Sequence, residues 1–236
     1  MVPLEVLNFA AYEQTDFDLV SRLLEDGQTV LDIGANIGWY SLQIAAAFPS
    51  VKVLAFEPIP NTYNYLKQNV ELNNAANITI HNFGFWNKAD TLTFYFYPEG
   101  SGNASAVNVS EKESVEEIQC PVTRLDDFVI ESNLHVDFIK CDVEGAEKFV
   151  FEGAVEMLHR DKPIVYTEML RKWAAKFDYH PNQIIKFFAE IGYLCYVVND
   201  GFLQELKTMD DTTIQTNFFF LHTLNHRQKI KAMLRP

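Results

Sequence analysis

A glycine-containing turn is the segment whose residue types and spacing say most about chemistry. Residues 30–38 read Val-Leu-Asp-Ile-Gly-Ala-Asn-Ile-Gly, which is typical of a buried strand that enters a helix through a tight turn. Gly34 would let a ligand approach the backbone, because a Cβ there would intrude, and Gly38 would allow close entry into the helix. Dinucleotide-binding turns carry Gly-x-Gly-x-x-Gly, and Asn36 stands where their middle glycine would be. The carboxylate of Asp32 suits a cationic ligand better than a pyrophosphate.

A second acidic residue follows in the segment Phe-Glu-Pro at 56–58. It lies about twenty residues further on, where nucleotide-binding α/β proteins place an acid at the tip of the second strand to accept hydrogen bonds from the ribose hydroxyls. The turn and Glu57 together predict an adenosine-bearing cofactor. S-adenosylmethionine fits best, because it carries an ammonium and a sulfonium group. Asn36 and Pro58 are included among the predicted cofactor-binding residues.

Three segments together resemble the FkbM-type methyltransferases, a family of class I S-adenosylmethionine-dependent enzymes. They are residues 30–41, residues 56–58, and the string Asp-Phe-Ile-Lys-Cys-Asp-Val-Glu-Gly-Ala-Glu at 137–147. The resemblance extends over about residues 13–222. It implies methylation of a hydroxyl group, often on a sugar or a secondary metabolite, and often in surface polysaccharide synthesis.

The resemblance also implies roles for individual residues. Asp32, Gly34 and Gly38 would surround the methionine part of the cofactor, and Glu57 would hold the ribose. Three residues after the third strand would frame the adenine: Asn82, Phe83 and Gly84.

Methyl transfer to a hydroxyl also needs a proton acceptor, which contributes on the order of 10²–10⁴-fold. Glu168 and Asp142 each end an apolar run, so both are candidates, with Glu168 as the predicted base. His180 is a further candidate, as a base or an acceptor contact. Glu144 is less favoured, because it would also start a helix, where a carboxylate suits the dipole. Lys140 lies within an apolar strand and needs a partner, either Glu168 or Asp142.

No metal is predicted at this site. Asp142 and Glu168 could ligate Mg²⁺, as in catechol-type methyltransferases, but the sequence offers no third carboxylate beside them.

Short apolar runs alternate with amphipathic stretches, which predicts βαβ units. The expected fold is α/β, a doubly wound, mostly parallel, seven-stranded Rossmann-like sheet of the class I methyltransferase type with a β-hairpin or loop insertion. Strands are predicted at 29–33, 51–56, 78–83, 136–141, 164–167, 193–198 and 215–221, with a hairpin strand at 91–97. Helices are predicted at 13–25, 38–48, 60–73, 146–158 and 182–191.

The chain of 236 residues is expected to form a single domain, 1–236, with a helical lead-in at 1–28. Residues 98–117 are rich in Gly, Ser, Asn and Glu and predict either a solvated loop or a lid. The net charge of −13 makes nucleic acid and anionic membranes poor partners, so we expect a small-molecule or glycan acceptor. Three scattered cysteines and the lack of a signal peptide favour a cytoplasmic protein. The oligomeric state is left open.

Two alternatives remain open from the sequence. An NAD-type oxidoreductase would share the architecture and the ribose acid, although the glycine spacing departs from its pattern. A non-catalytic, cofactor-binding scaffold domain would keep the same residues without turnover.

Overall fold

The computed structural model describes residues 14–96, 105–107 and 116–235. The strands are β1 Thr29–Ile33, β2 Lys52–Phe56, β3 Ile78–His81, β4 Gly84–Phe85, β5 Asp90–Phe96, β6 Glu116–Thr123, β7 Phe138–Cys141, β8 Ile164–Glu168, β9 Tyr193–Asn199, β10 Phe202–Glu205 and β11 Asn217–His222. The helices are α1 Gln14–Leu23, α2 Trp39–Ala47, α3 Pro60–Leu72, α4 Leu125–Glu131, α5 Glu147–Glu152, α6 Val155–Asp161, α7 Arg171–Ala174, α8 Asn182–Glu190 and α9 Arg227–Met233, with a 3₁₀ turn at Ala175–Phe177.

The main sheet has the strand order β10-β9-β11-β8-β7-β1-β2-β3. The pairs β3–β2, β2–β1, β1–β7 and β7–β8 are parallel, so the carboxyl ends of these five strands share one edge. The chain leaves β1 toward β2 and β3 and later returns to β7 on the opposite side of β1. The edge above β1 and β7 is therefore the switch point at which open α/β sheets bind ligands.

The core lies on both faces of the main sheet, as expected for parallel strands covered by helices. Along β1, Leu31 and Ile33 join one apolar cluster, whereas Val30 joins the cluster on the opposite face. Helix α1 packs Leu19 and Val20 into this second cluster, whereas residues 1–13 of the predicted lead-in lie outside the described residues. Among the described residues no helix is both long and apolar enough to cross a membrane.

A second, smaller sheet has the order β4-β6-β5 and confirms the predicted hairpin insertion. Strands β5 and β6 are antiparallel over their full length, and β4 is parallel to β6. Phe94 and Cys120 of this sheet pack with Ile59, which follows β2. The insertion is thereby attached to the chain beside the switch point. Most of the predicted lid at 98–117 lies outside the described residues.

Three predictions of secondary structure are wrong in detail. The main sheet has eight strands and not seven, because β10 forms a hairpin with β9 through Asp200 and Gly201, both at positive φ. The predicted helix at 146–158 is two helices separated at Gly153, where a Cβ would overlap the carbonyl oxygen of Trp86. Strand β6 begins at Glu116, inside the predicted loop.

Candidate active site

The turn after β1 folds over the end of β2. The N–H groups of Gly34 and Ala35 both donate to the carbonyl oxygen of Phe56, at 3.0 and 2.9 Å. Gly34 has φ 74° and Asn36 has φ 51°, a left-handed conformation that glycine and asparagine tolerate best. A Cβ at Gly34 would overlap the carbonyl oxygen of Asp142. The glycine is thus required by the neighbouring chain after β7, and the approach of a ligand to its backbone stays a prediction.

Glu57 is buried at the tip of β2 and joins two segments of the site. Its Oε2 accepts the N–H of Asn36 at 3.0 Å and its Oε1 accepts the N–H of Ile59 at 2.9 Å. Burial raises the pKa of Glu57 to about 7, although both hydrogen bonds favour the charged form. The side chain of Asn82 donates to the carbonyl oxygens of Glu57 and Pro58 at 2.8 and 3.0 Å. The acid is consequently fixed from both sides.

Asp32 and Lys140 are register partners on β1 and β7 and face the same side of the sheet. Lys140 Nζ lies 3.3 Å from Asp32 Oδ1 and 3.6 Å from Asp142 Oδ2, and it donates to the carbonyl oxygen of Gly34 at 2.7 Å. Burial favours the neutral amine, but the two carboxylates outweigh it and raise the pKa of Lys140. The predicted partner Asp142 is confirmed, and Asp32 stands in the place expected of Glu168.

Asp32 itself is fully buried, and its second oxygen accepts the hydroxyl and the N–H of Ser41 at 2.6 and 3.1 Å. Its carboxylate therefore lies beneath the turn that was predicted to bind the cofactor, where it supports Lys140 and the start of α2.

A cleft of about 490 Å³, partly open to solvent, lies at this edge of the sheet. It is lined by Gly34, Asn36, Glu57, Pro58, Ile59, Thr62, Phe94, Asp142, Val143 and Glu144. Five of these were predicted from the sequence: Gly34, Asn36, Glu57, Pro58 and Asp142. Phe94 was missed because it comes from the insertion, which no local motif connects to the turn. Glu144 was considered only as a weak candidate.

The three residues predicted to frame the adenine do not line this cleft. Asn82 holds the backbone of Glu57 and Pro58, and Gly84 lies against the Pro58 ring, to which its Cβ would come within 3.6 Å. Phe83 packs into an aromatic cluster with Phe56, where the ring centroids are 5.5 Å apart. Asn82 and Gly84 thus contact residues that line the cleft, Phe83 packs behind them, and the contact of all three with a cofactor stays a prediction.

The turn after β7 is held by one nearby side chain and by two that are distant in sequence. Glu147, which is buried, accepts the N–H groups of Val143 and Gly145 at 3.0 and 3.1 Å. Tyr179 donates to the carbonyl oxygen of Gly145 at 2.8 Å, and Ser105 donates to that of Glu144 at 2.9 Å. Within this turn Glu144 has φ 53°.

Two predicted catalytic residues lie away from the lining of the cleft. Glu168 is the last residue of β8, is half-buried and pairs across the sheet with Asn217. His180 is exposed, and its Nδ1 accepts the N–H of Asn182 at 3.2 Å, at the start of α8. Their catalytic roles stay predictions. In the part of the chain that the structure describes, no three His, Cys, Asp or Glu side chains are grouped to hold a metal ion.

This fold, with β11 antiparallel between β8 and β9 and a cleft at the β1–β7 switch point, is that of the class I methyltransferases. The crystal structure of a methyltransferase FkbM from Methylobacillus flagellatus shares it, with a TM-score of 0.52 and 19% identity over 84% of this chain and 45% of that one. The family model for the methyltransferase FkbM domain matches residues 32–195. The chain belongs to the FkbM methyltransferase family.

Two curated relatives support this assignment. Methyltransferase 1 of Beauveria bassiana is 34% identical over 146 residues, which cover 54% of this chain and 59% of the relative. The 31-O-demethyl-FK506 methyltransferase FkbM of Streptomyces tacrolimicus is 27% identical over 158 residues, covering 55% and 60%. The matched region thus spans about three fifths of the length of these relatives.

Proposed function

We propose that this chain is an S-adenosylmethionine-dependent O-methyltransferase that acts on an uncharged hydroxyl group of a small molecule or glycan. The observation that carries the proposal is the cleft at the β1–β7 switch point, where Glu57, Asp142 and Glu144 place carboxyl groups around one space. The free thiols of all three cysteines support the reducing, cytoplasmic compartment expected from the sequence.

The cleft fits this cofactor in charge and in hydrogen-bonding capacity. S-adenosylmethionine has a net positive charge, which the surrounding carboxyl groups attract. Each oxygen of Glu57 uses one lone pair for a backbone N–H, so a second lone pair on each can accept a ribose hydroxyl. When bound, the cofactor supplies a methyl group activated on a sulfonium.

The residues of this chain would contribute mainly by positioning, which can be worth roughly 7–11 kcal/mol in a well-aligned reaction. Lys140 holds the carbonyl of Gly34 and balances Asp142, so the two segments that border the cleft keep a fixed separation. Among the sequence-predicted catalytic residues, Asp142 lines the cleft, and we assign it to orienting the acceptor.

The negative charges of the carboxyl groups also influence which acceptors can enter the cleft. A carboxylate or phosphate nucleophile would be repelled by Asp142 and Glu57, whereas a neutral hydroxyl would not. The name of the Streptomyces tacrolimicus relative, a 31-O-demethyl-FK506 methyltransferase, likewise points to an oxygen acceptor. No observation favours the NAD-type oxidoreductase.

Calorimetry with S-adenosylmethionine, S-adenosylhomocysteine and NAD tests the cofactor. We expect one S-adenosylmethionine per chain, bound in the micromolar range. Glu57→Ala should weaken binding by about 1.5–3 kcal/mol, the scale of a charge-assisted hydrogen bond. Glu71→Ala, at an exposed position on α3, is the matched control and should bind like the wild type. Binding of NAD without binding of S-adenosylmethionine would refute the proposal.

Labelled methyl transfer to a panel of polyols, monosaccharides, phenols and carboxylic acids tests the acceptor class. We expect products only from uncharged hydroxyl compounds. Methyl esters formed from the carboxylic acids would contradict the assignment of the acceptor.

A further inference from the structure

We propose that Glu144 is the catalytic base that takes the proton from the acceptor hydroxyl. This inference rests on the proposed function and assigns a residue to its chemical step. It replaces Glu168, the base that sequence reasoning favoured, with a carboxylate that lines the cleft.

The position of Glu144 in the cleft is the first observation. It lines the same space as Gly34 and Glu57, whereas Glu168 ends a strand that contributes no residue to that lining. Glu144 follows Asp142 by two residues, so the two carboxyl groups border the cleft on the β7 side.

The backbone of Glu144 is the second observation. Its φ of 53° is left-handed, a conformation that is unfavourable for a residue other than glycine. The conformation persists because the groups on both sides are held. Glu147 accepts the N–H groups of Val143 and Gly145, and Ser105 binds the carbonyl of Glu144 itself. The side chain of Glu144 is left to face the cleft from a rigid support.

The third observation is that the neighbouring carboxyl groups already make contacts with other groups of the protein. Glu147 holds the turn, both oxygens of Glu57 bind backbone N–H groups, and Asp142 lies 3.6 Å from Lys140. In the described part of the chain no cation lies within 4.0 Å of the Glu144 carboxyl group. Of the carboxyl groups at the cleft, Glu144 is the one that no other described residue engages in a structural contact.

Its electrostatic setting agrees with such a role. Burial, together with the charges of Asp142 and Glu147, raises the pKa of Glu144 to about 8. A base with a pKa near the working pH is the most effective. A cationic ligand in the cleft would lower this pKa and ionise Glu144 when the cofactor is in place.

In the step we propose, the acceptor oxygen forms its bond to the methyl carbon while the carbon–sulfur bond breaks and its electron pair stays on sulfur. The carboxylate of Glu144 takes the hydroxyl proton and becomes neutral. The proton is then released to solvent when the products leave and the cleft opens to water.

Glu144→Gln tests the proposal, since it keeps the size and removes the ionisable group. We expect affinity for S-adenosylhomocysteine within about 3-fold of the wild type and turnover lower by about 10²-fold or more. Glu144→Asp should recover part of the rate, because a carboxylate remains. Glu190→Gln, at an exposed position on α8, is the matched control and should turn over like the wild type. Glu168→Gln tests the alternative that Glu168 is the base. Wild-type kcat/KM for S-adenosylmethionine, which reports the free enzyme, should rise with pH up to about 8, and Glu144→Gln should lose that rise.

A binding experiment gives a readout that needs no acceptor. S-adenosylmethionine differs from S-adenosylhomocysteine by the methyl group and the positive charge on sulfur. If binding of S-adenosylmethionine releases more protons from the protein than binding of S-adenosylhomocysteine does, the group that ionises lies close to that charge. Calorimetry at pH 8 in two buffers of different ionisation enthalpy measures this release. We expect the extra release in the wild type and in Glu168→Gln, and its loss in Glu144→Gln.

The outcomes separate this inference from the proposed function. If the wild type binds neither cofactor form, the proposed function fails. If it binds both, but Glu144→Gln keeps the proton release or the wild-type turnover, Glu144 is not the base. Loss of turnover in Glu168→Gln alone would return the role to Glu168.

Discussion

The substitution Gly34→Ala tests whether the turn after β1 is constrained by the protein itself. A Cβ on Gly34 would overlap the carbonyl oxygen of Asp142 and lie 2.9 Å from its carbonyl carbon, where a real Cβ is essentially never found. Relief requires the turn and the chain after β7 to separate. Asp142 N–H donates to Ile33 at 3.0 Å, and Lys140 donates to Gly34 at 2.7 Å, so both hydrogen bonds would be strained or lost.

Gly27→Ala is the matched control for this substitution. Gly27 has φ 81°, close to the 74° of Gly34, but a Cβ there would meet no atom within 4 Å. In both variants a residue with a Cβ must adopt a left-handed backbone conformation, which lowers the stability by roughly 1–2 kcal/mol. Only Gly34→Ala adds the loss of the two hydrogen bonds, one of them to a charged donor, worth together about 2–4 kcal/mol.

Thermal and urea unfolding of the two variants measure this difference. For a chain of this length, about 2–4 kcal/mol corresponds to a Tm lower by roughly 4–16 °C in Gly34→Ala than in Gly27→Ala. Equal losses of stability in the two variants would show that the contact with Asp142 is relieved without cost. In that case the reasoning from backbone overlap would be refuted. The approach of a ligand to the backbone would then be the favoured explanation for a glycine at position 34.

Two further predictions concern the buried charges. Lys140→Met should lower the free energy of unfolding at pH 7 by about 3–5 kcal/mol in urea titrations, because it leaves Asp32 without its cation. The double variant with Asp32→Asn should regain most of this stability, whereas a single variant as stable as the wild type would contradict the reasoning. Burial raises the pKa of Glu147 from 4.5 to about 7, so the folded state keeps a proton that the unfolded state has released, and this contribution to stability is lost as pH rises from about 4.5 to 7. Glu147→Gln should match the wild type at pH 4.5 and exceed its stability by about 1–3 kcal/mol above pH 7.5, whereas a variant less stable at both pH values would show that the charge itself holds the turn.

Local sequence was sufficient for the strands of the parallel sheet and for one half of the site. The runs that became β1, β2 and β8 are short and mostly apolar, because such strands are buried on both faces, and Asp32 is the one charged residue inside them. The position of Glu57 beside the glycine turn follows from the same logic, since neighbouring parallel strands end at one edge. Even β10, which was missed, had a local signal in Asp200-Gly201, whose positive φ angles suit a two-residue hairpin turn.

Tertiary structure decided which of the acidic residues does what. Asp32, Glu144 and Glu147 are alike in the sequence, since each lies within two residues of a glycine near the end of a strand. Asp32 is turned toward Lys140 by strand register, and Glu147 is drawn inward by backbone N–H groups and by Tyr179. Glu144 faces the cleft because those contacts fix its backbone in a left-handed conformation. Lys140, Tyr179 and Ser105, which supply several of these contacts, are distant in sequence from the carboxyl groups that they orient. Spacing within the motif could therefore establish the presence of the carboxyl groups but not their directions.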